Sequence, residues 1–284
     1  MTIELSGVGV WSHQLRYGEP DTIADAAREL EELGYTAVWV PDVGGSVFEA
    51  LDRLLTATTT ITIATGILNV WQHTPQDVGG WWHGLSRTHQ SRTLLGLGIS
   101  HDAVVGDRYA RPLATMAAYL DGLADVGVPL GRTCLAALGP RMLELAATRT
   151  AGAHPYLVTT EHTATARGIL GAGLLAVEQT VALDTNLEAA RESARAMLRG
   201  YAMLPNYAGN WRRLGFSDDD IDKLDDALVD ALVACGDTAA VAARLDAQRR
   251  AGADHVCVQV LTASREEFPR PAWRALAPAQ APQT

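Results

Sequence analysis

Leu30-Glu-Glu-Leu-Gly34-Tyr-Thr-Ala37-Val-Trp-Val40 reads as the end of a helix, a glycine stop and a short β-branched strand. Glycine suits the left-handed residue that closes a helix before a strand begins. The same unit recurs at Asp121–Gly127 into Thr133–Leu138, and at Leu145–Gly152 into Pro155–Val158. It recurs again at Arg167–Gly173 into Leu174–Val181 and at Arg244–Gly252 into His255–Val260. Three further apolar runs, Gly7–Trp11, Ile61–Gly66 and Thr93–Ile99, bring the total to eight strands. Strands that are apolar on both faces and separated by helices predict a parallel sheet covered by helices. Eight is the number that closes a (β/α)8 TIM barrel, an α/β fold. An open doubly wound sheet is the rival, but its phosphate fingerprint is missing. Gly96-Leu-Gly98-Ile-Ser-His101 lacks the third glycine and the helix that should follow.

Helix starts agree with this register. Ser46 with Glu49, and Thr185 with Glu188, read as capping boxes, and Thr74 precedes Pro75 at a first helical position. Between strands seven and eight the chain is too long for one connection. Three helices are expected there, forming an insertion at about residues 185–235 on a single domain of residues 1–284. Beyond about residue 276 the Pro/Ala-rich end reads as a frayed tail.

Of the 284 residues, 48% are hydrophobic, enough to fill such a core, and the formal net charge is −10 with no basic run. Nucleic acid is therefore excluded as an expected partner, because phosphate binding needs positive surface. Cys134, Cys235 and Cys257 are isolated and odd in number, which fits a reducing cytoplasm. A strand begins almost at once, leaving no room for a signal peptide, and no apolar run is long enough to span a bilayer.

The active site of a barrel lies at the carboxyl ends of its strands. No HExxH and no metal-like cluster of ligands occurs there, so no metal is expected. No GxSxG elbow occurs either, and Lys223, the only lysine, is not near a strand end. Hydrolase and aldolase chemistry are disfavoured, which leaves a reactive atom supplied by a cofactor. In Leu138-Gly139-Pro140-Arg141-Met142, Gly139 reads as an N-cap whose first-turn N–H groups could meet a phosphate, with Arg141 beside it. An ordinary Gly-Pro helix start explains the same residues. Ser100 and His101 read as a turn or a polar cluster, and Asp42 as a loop cap or a cavity residue. Trp11 and Trp71 read as packing at the barrel mouth, and His162 as an exposed first-turn residue.

In chain order, five stretches resemble the luciferase-like flavin and coenzyme F420 superfamily. They are Leu33-Gly-Tyr-Thr-Ala-Val-Trp-Val-Pro-Asp42, Ala64-Thr-Gly-Ile-Leu-Asn-Val-Trp71, Leu95-Gly-Leu-Gly-Ile-Ser-His101, Leu138-Gly-Pro-Arg-Met142 and His154-Pro-Tyr-Leu-Val-Thr-Thr160. The nearest likeness is to short actinobacterial F420-dependent oxidoreductases. That resemblance implies a ring system in the barrel mouth, backed by a bulge at Gly66, Ile67, Leu68 and Asn69 with a non-proline cis peptide at Gly66–Ile67. It implies Gly98, Ser100 and His101 near the ring, and a phosphate held by Gly139, Pro140, Arg141, Met142, Thr159 and Thr160. Sugar-phosphate dehydrogenases of the superfamily carry Asp-His after strand two, whereas here Val43 follows Asp42.

The function expected is F420-dependent hydride transfer to a small organic substrate. Asp42, His101 or water would act as proton donor, with Asp42, His101 and Asn69 facing one cavity. Arg87 and Arg92 are expected on the rim opposite Arg141, where an anionic coenzyme tail would run. The alternatives are an FMN-dependent monooxygenase and a coenzyme-binding protein without turnover. A homodimer is the assembly to test.

Overall fold

Eight parallel strands close into a cylinder: β1 (Gly7–Trp11), β2 (Ala37–Val40), β3 (Thr62–Asn69), β4 (Thr93–Gly98), β5 (Thr133–Leu135), β6 (Gly152–Ala153), β7 (Leu174–Leu183) and β9 (His255–Val260). Each pairs with the next, β6 with β7 and β7 with β9, and β9 returns to β1. The computed structural model describes residues 3–101, 105–106 and 109–278. Alternation along the strands divides the core in two. Trp39, Ala64, Leu94, Cys134, Ala176 and Cys257 fill the cylinder. Their neighbours Val38, Ile63, Leu95, Leu135, Val177 and Val256 face the helical shell. Both faces are buried, which is why the strands read as unbroken apolar runs.

The structure corrects the reading at several places. The sixth stave is Gly152–Ala153 and not Pro155–Val158. Pro155 has no N–H for a ladder, Leu157 adopts a left-handed φ of 52°, and its N–H is taken by the Glu178 side chain. A ninth strand, β8 (Val233–Gly236), pairs with Thr180–Leu183, the far end of β7 beyond its contact with β6. It follows the helix Asp226–Leu232 with no glycine between them, so no stop signal marks it.

The interval Asp184–Gly252 holds five helices, Leu187–Ala202, Pro205–Arg213, Asp218–Lys223, Asp226–Leu232 and Thr238–Arg250, where three were expected. Pro205 and the left-handed Leu224 split what the apolar pattern joins. The first of these helices is capped by Asn186 and not Thr185. Leu198, Trp211, Leu228 and Leu232 give the insertion its own apolar cluster, seated over the β6–β7 side of the mouth. Among the described residues, no helix is long and apolar enough to cross a membrane. No group of three or more His, Cys, Asp or Glu among them could hold a metal.

Candidate functional site

The mouth is organised around a break in β3. Its register against β4 shifts between Thr65 and Leu68, and the Gly66–Ile67 peptide is cis. The Gly66 carbonyl accepts a hydrogen bond from Trp11 Nε1 at 2.8 Å. A Cβ on Gly66 would stand 2.6 Å from that indole nitrogen and 3.2 Å from His154 Nε2. The bulge leans on β4, where side chains would collide with it. A Cβ on Gly96 would lie 2.1 Å from the Thr65 carbonyl oxygen, and one on Gly98 would lie 2.3 Å from Ile67 Cδ1. The Gly-Leu-Gly of β4 is thus explained by the approach of β3.

Asp42 and Asn69 come together, but through the backbone. Asp42 Oδ2 accepts from the Asn69 N–H and from His73 Nε2, both at 3.0 Å. The Asp42 side chain has no exposed surface, so it fastens the bulge loop. His73, from the far end of that loop, thus places an imidazole beside Asp42. Ser100 adopts a left-handed φ of 59°. His101, which follows it, contacts the insertion: its Nδ1 lies 2.9 Å from Asn206 Oδ1 and its ring 5.6 Å from that of Tyr207. The expected shared cavity of Asp42, Asn69 and His101 is therefore not formed by direct contact. Burial lowers the His101 pKa, against the opposing pull of Asn206.

Below the bulge, the floor of the mouth carries a polar layer that the strand pattern conceals. Tyr156 Oη donates to Gln259 at 2.7 Å and accepts from Tyr201 at 3.2 Å. His154 stacks on Trp39 at 4.1 Å and hydrogen-bonds the Ala176 carbonyl through Nδ1. Its buried Nε2 has no partner, and desolvation pulls its pKa down to about 4. Glu178 accepts from Thr180 at 2.6 Å and from the Leu157 N–H at 3.1 Å.

Burial pushes the Glu178 carboxyl up to about 7, although both hydrogen bonds oppose the shift. The folded chain thus binds this proton more tightly than the unfolded chain does. The associated stability is full below about pH 4.5 and is lost as pH rises through about 7. Glu178→Gln should remove that fall, on the order of 3 kcal/mol. Urea unfolding of both proteins between about pH 5 and 8 checks it, and parallel pH profiles would contradict it.

The two helices expected to hold a phosphate differ. Gly139 starts Pro140–Arg149 with no side-chain cap, and a Cβ there would meet nothing within 4 Å. Arg141 is exposed at its first turn. At Thr160–Leu170 the Thr159 hydroxyl already accepts from the His162 N–H. Thr160 donates to Glu161, whose carboxylate is held below its ordinary range by Thr159, its own N–H and Thr160. That helix is capped by the chain's own anion. His162, expected to be exposed, is 4% accessible and binds the Leu138 carbonyl, tying the two helix starts together. Arg87 and Arg92 are not on the rim, because they precede β4. Arg92 is buried at the opposite end, where it donates to Leu55, Thr58 and Ile61.

Residues 5–127 match the family model of the luciferase-like monooxygenases. Over that stretch the chain is similar to the luciferase-like monooxygenases. No curated protein matches its sequence. Solved structures share the barrel fold at low identity. The coenzyme F420-dependent tetrahydromethanopterin reductase of Methanopyrus kandleri aligns with a TM-score of 0.71 at 16% identity, over 96% of this chain and 97% of its own. An F420-dependent secondary alcohol dehydrogenase gives 0.71 at 13%, over 98% and 97%. The oxygenating constituent of 3,6-diketocamphane monooxygenase from Pseudomonas putida, in complex with FMN, gives 0.69 at 12%, over 96% and 97%.

Proposed function

We propose that the protein is an F420-dependent oxidoreductase that reduces an unsaturated or carbonyl group of a small organic substrate. The observation that carries this reading is the uncapped helix start at Gly139, on the same barrel face as the bulged β3. The residues present fit the coenzyme phosphate, since Gly139 has open space around it. When bound, the deazaflavin supplies a two-electron hydride carrier. Gly66, Ile67, Leu68 and Asn69 would back its ring, with Gly98 and Ser100 beside them. Gly139, Pro140, Arg141 and Met142 would hold its phosphate.

Asp42 acts in this scheme as a positioning group, because both of its hydrogen bonds fix the bulge loop. His101 is the group left to hold or move a proton, at Nε2, since Asn206 engages Nδ1. Tyr156, Tyr201 and Tyr207 exclude water from the insertion side. The test is oxidation of reduced F420 by a panel of enones, imines and ketones. His101→Ala should lower turnover more than coenzyme affinity, and Asp42→Asn should lower both.

Thr159 and Thr160 belong to the proposal only conditionally, because Glu161 stands where an anion would. Glu161→Gln should strengthen coenzyme binding by about threefold to tenfold, by removing a like charge near the phosphate. Equal affinity in a fluorescence titration would take the β6 helix out of the site.

A further inference from the structure

At the carboxyl end of β1, on the side of the mouth away from the insertion, a guanidinium is buried with no counter-charge among the described residues. Arg16, in the short helix Gln14–Tyr17, is 7% accessible and makes no ion pair among the described residues. Nη2 donates to the Gly44 carbonyl at 2.8 Å, and the guanidinium carbon lies 4.8 Å from the Tyr17 ring centre. Its buried Nε has no hydrogen-bond partner, and neither has the buried Nδ1 of His13 nearby. Burial, Arg265 and Arg16 all lower the His13 pKa, and Glu266, exposed on the surface, is the acid that opposes them. A desolvated cation lacking a counter-ion is costly, whereas pairing it with an oxyanion recovers charge-assisted hydrogen bonds.

The cover over this group is thin. Gly44 and Gly45 are exposed at positive φ (110° and 67°). A Cβ on Gly44 would meet nothing within 4 Å, and one on Gly45 would lie 3.7 Å from Arg16 Nη2.

We propose that Arg16, with His13 and the Gly44–Gly45 turn, forms an oxyanion subsite that receives a carboxylate or phosphate group of the organic substrate. The site lies on the β1–β2 side, whereas Gly139 follows β5, so it is distinct from the place assigned to the coenzyme phosphate. It stands whether or not the coenzyme is F420. Substrates of the enzyme are then anionic, with the reducible group separated from the acid by the span from the rim to the bulge.

The test is titration of the apoprotein with inorganic phosphate and, separately, with acetate, following the Arg16 Nε–H resonance. Saturable movement of that resonance is expected, and it should persist in a Gly139→Asp background. Arg16→Gln should weaken phosphate binding measured by calorimetry by about tenfold or more. If that variant fails to fold, Gly45→Asp gives the same information. Aspartate tolerates the left-handed conformation, and its carboxylate would satisfy Arg16 and compete with added anion. An unmoved Nε–H signal, or an undiminished response in Gly45→Asp, overturns the proposal. Loss of F420 affinity in Arg16→Gln would assign the subsite to the coenzyme's anionic tail and overturn the substrate assignment.

Discussion

Gly139→Asp should abolish coenzyme binding and at the same time make the protein more stable. The position has ordinary dihedrals (φ −99°, ψ 156°) and open space around it, so the new side chain costs no strain. Aspartate is a favoured N-cap, and its carboxylate would accept first-turn N–H groups that no side chain meets now, worth roughly a few tenths of a kcal/mol over glycine. The same carboxylate would occupy the anion position and repel a phosphate from it. Stability and binding should therefore move in opposite directions, which a general folding defect cannot imitate. Thermal unfolding combined with a coenzyme titration reads both. A variant that still binds within a few-fold of the parent would remove Gly139 from the site.

Gly96→Ala should cost a large part of the barrel's stability. The new carbon would sit 2.1 Å from the Thr65 carbonyl oxygen, which is backbone and held by the β3–β4 ladder. No rotamer relieves such a contact, so the two strands must part, at a cost of about 3–5 kcal/mol or outright loss of folding. Gly80→Ala is the matched control. It lies exposed within the helix Pro75–Gly84 with nothing within 4 Å, and should stabilise by about 0.5–1 kcal/mol. Denaturant unfolding of the pair separates close approach from glycine flexibility. Similar small effects at both positions would refute the account of β4.

The barrel was legible because each helix–glycine–strand unit repeats one physical rule, from Leu30–Val40 through Arg244–Val260. Legibility failed where side chains replace the ladder. Pro155 and left-handed Leu157 end β6 early, with Glu178 holding the Leu157 N–H. The cis peptide at Gly66–Ile67 was reached through family resemblance, since nothing in those two residues requires it. Gly96 and Gly98 were noticed as a glycine pair, but their cause lies 31 residues upstream, at Thr65 and Ile67. The partner of Asp42 was invisible for the same reason, His73 being brought to it only by the turn after β3. Glu178 did leave a signal: a carboxylate at an inward position of a strand that otherwise reads as core.

The mouth of this barrel is proposed to take a deazaflavin. Titration of one purified apoprotein with F420 and with FMN, followed by fluorescence at low and high salt, tests it most directly. Saturable F420 binding that weakens with salt and disappears in Gly139→Asp is expected. Tight FMN binding with no measurable affinity for F420 would contradict it and give the barrel to the monooxygenases.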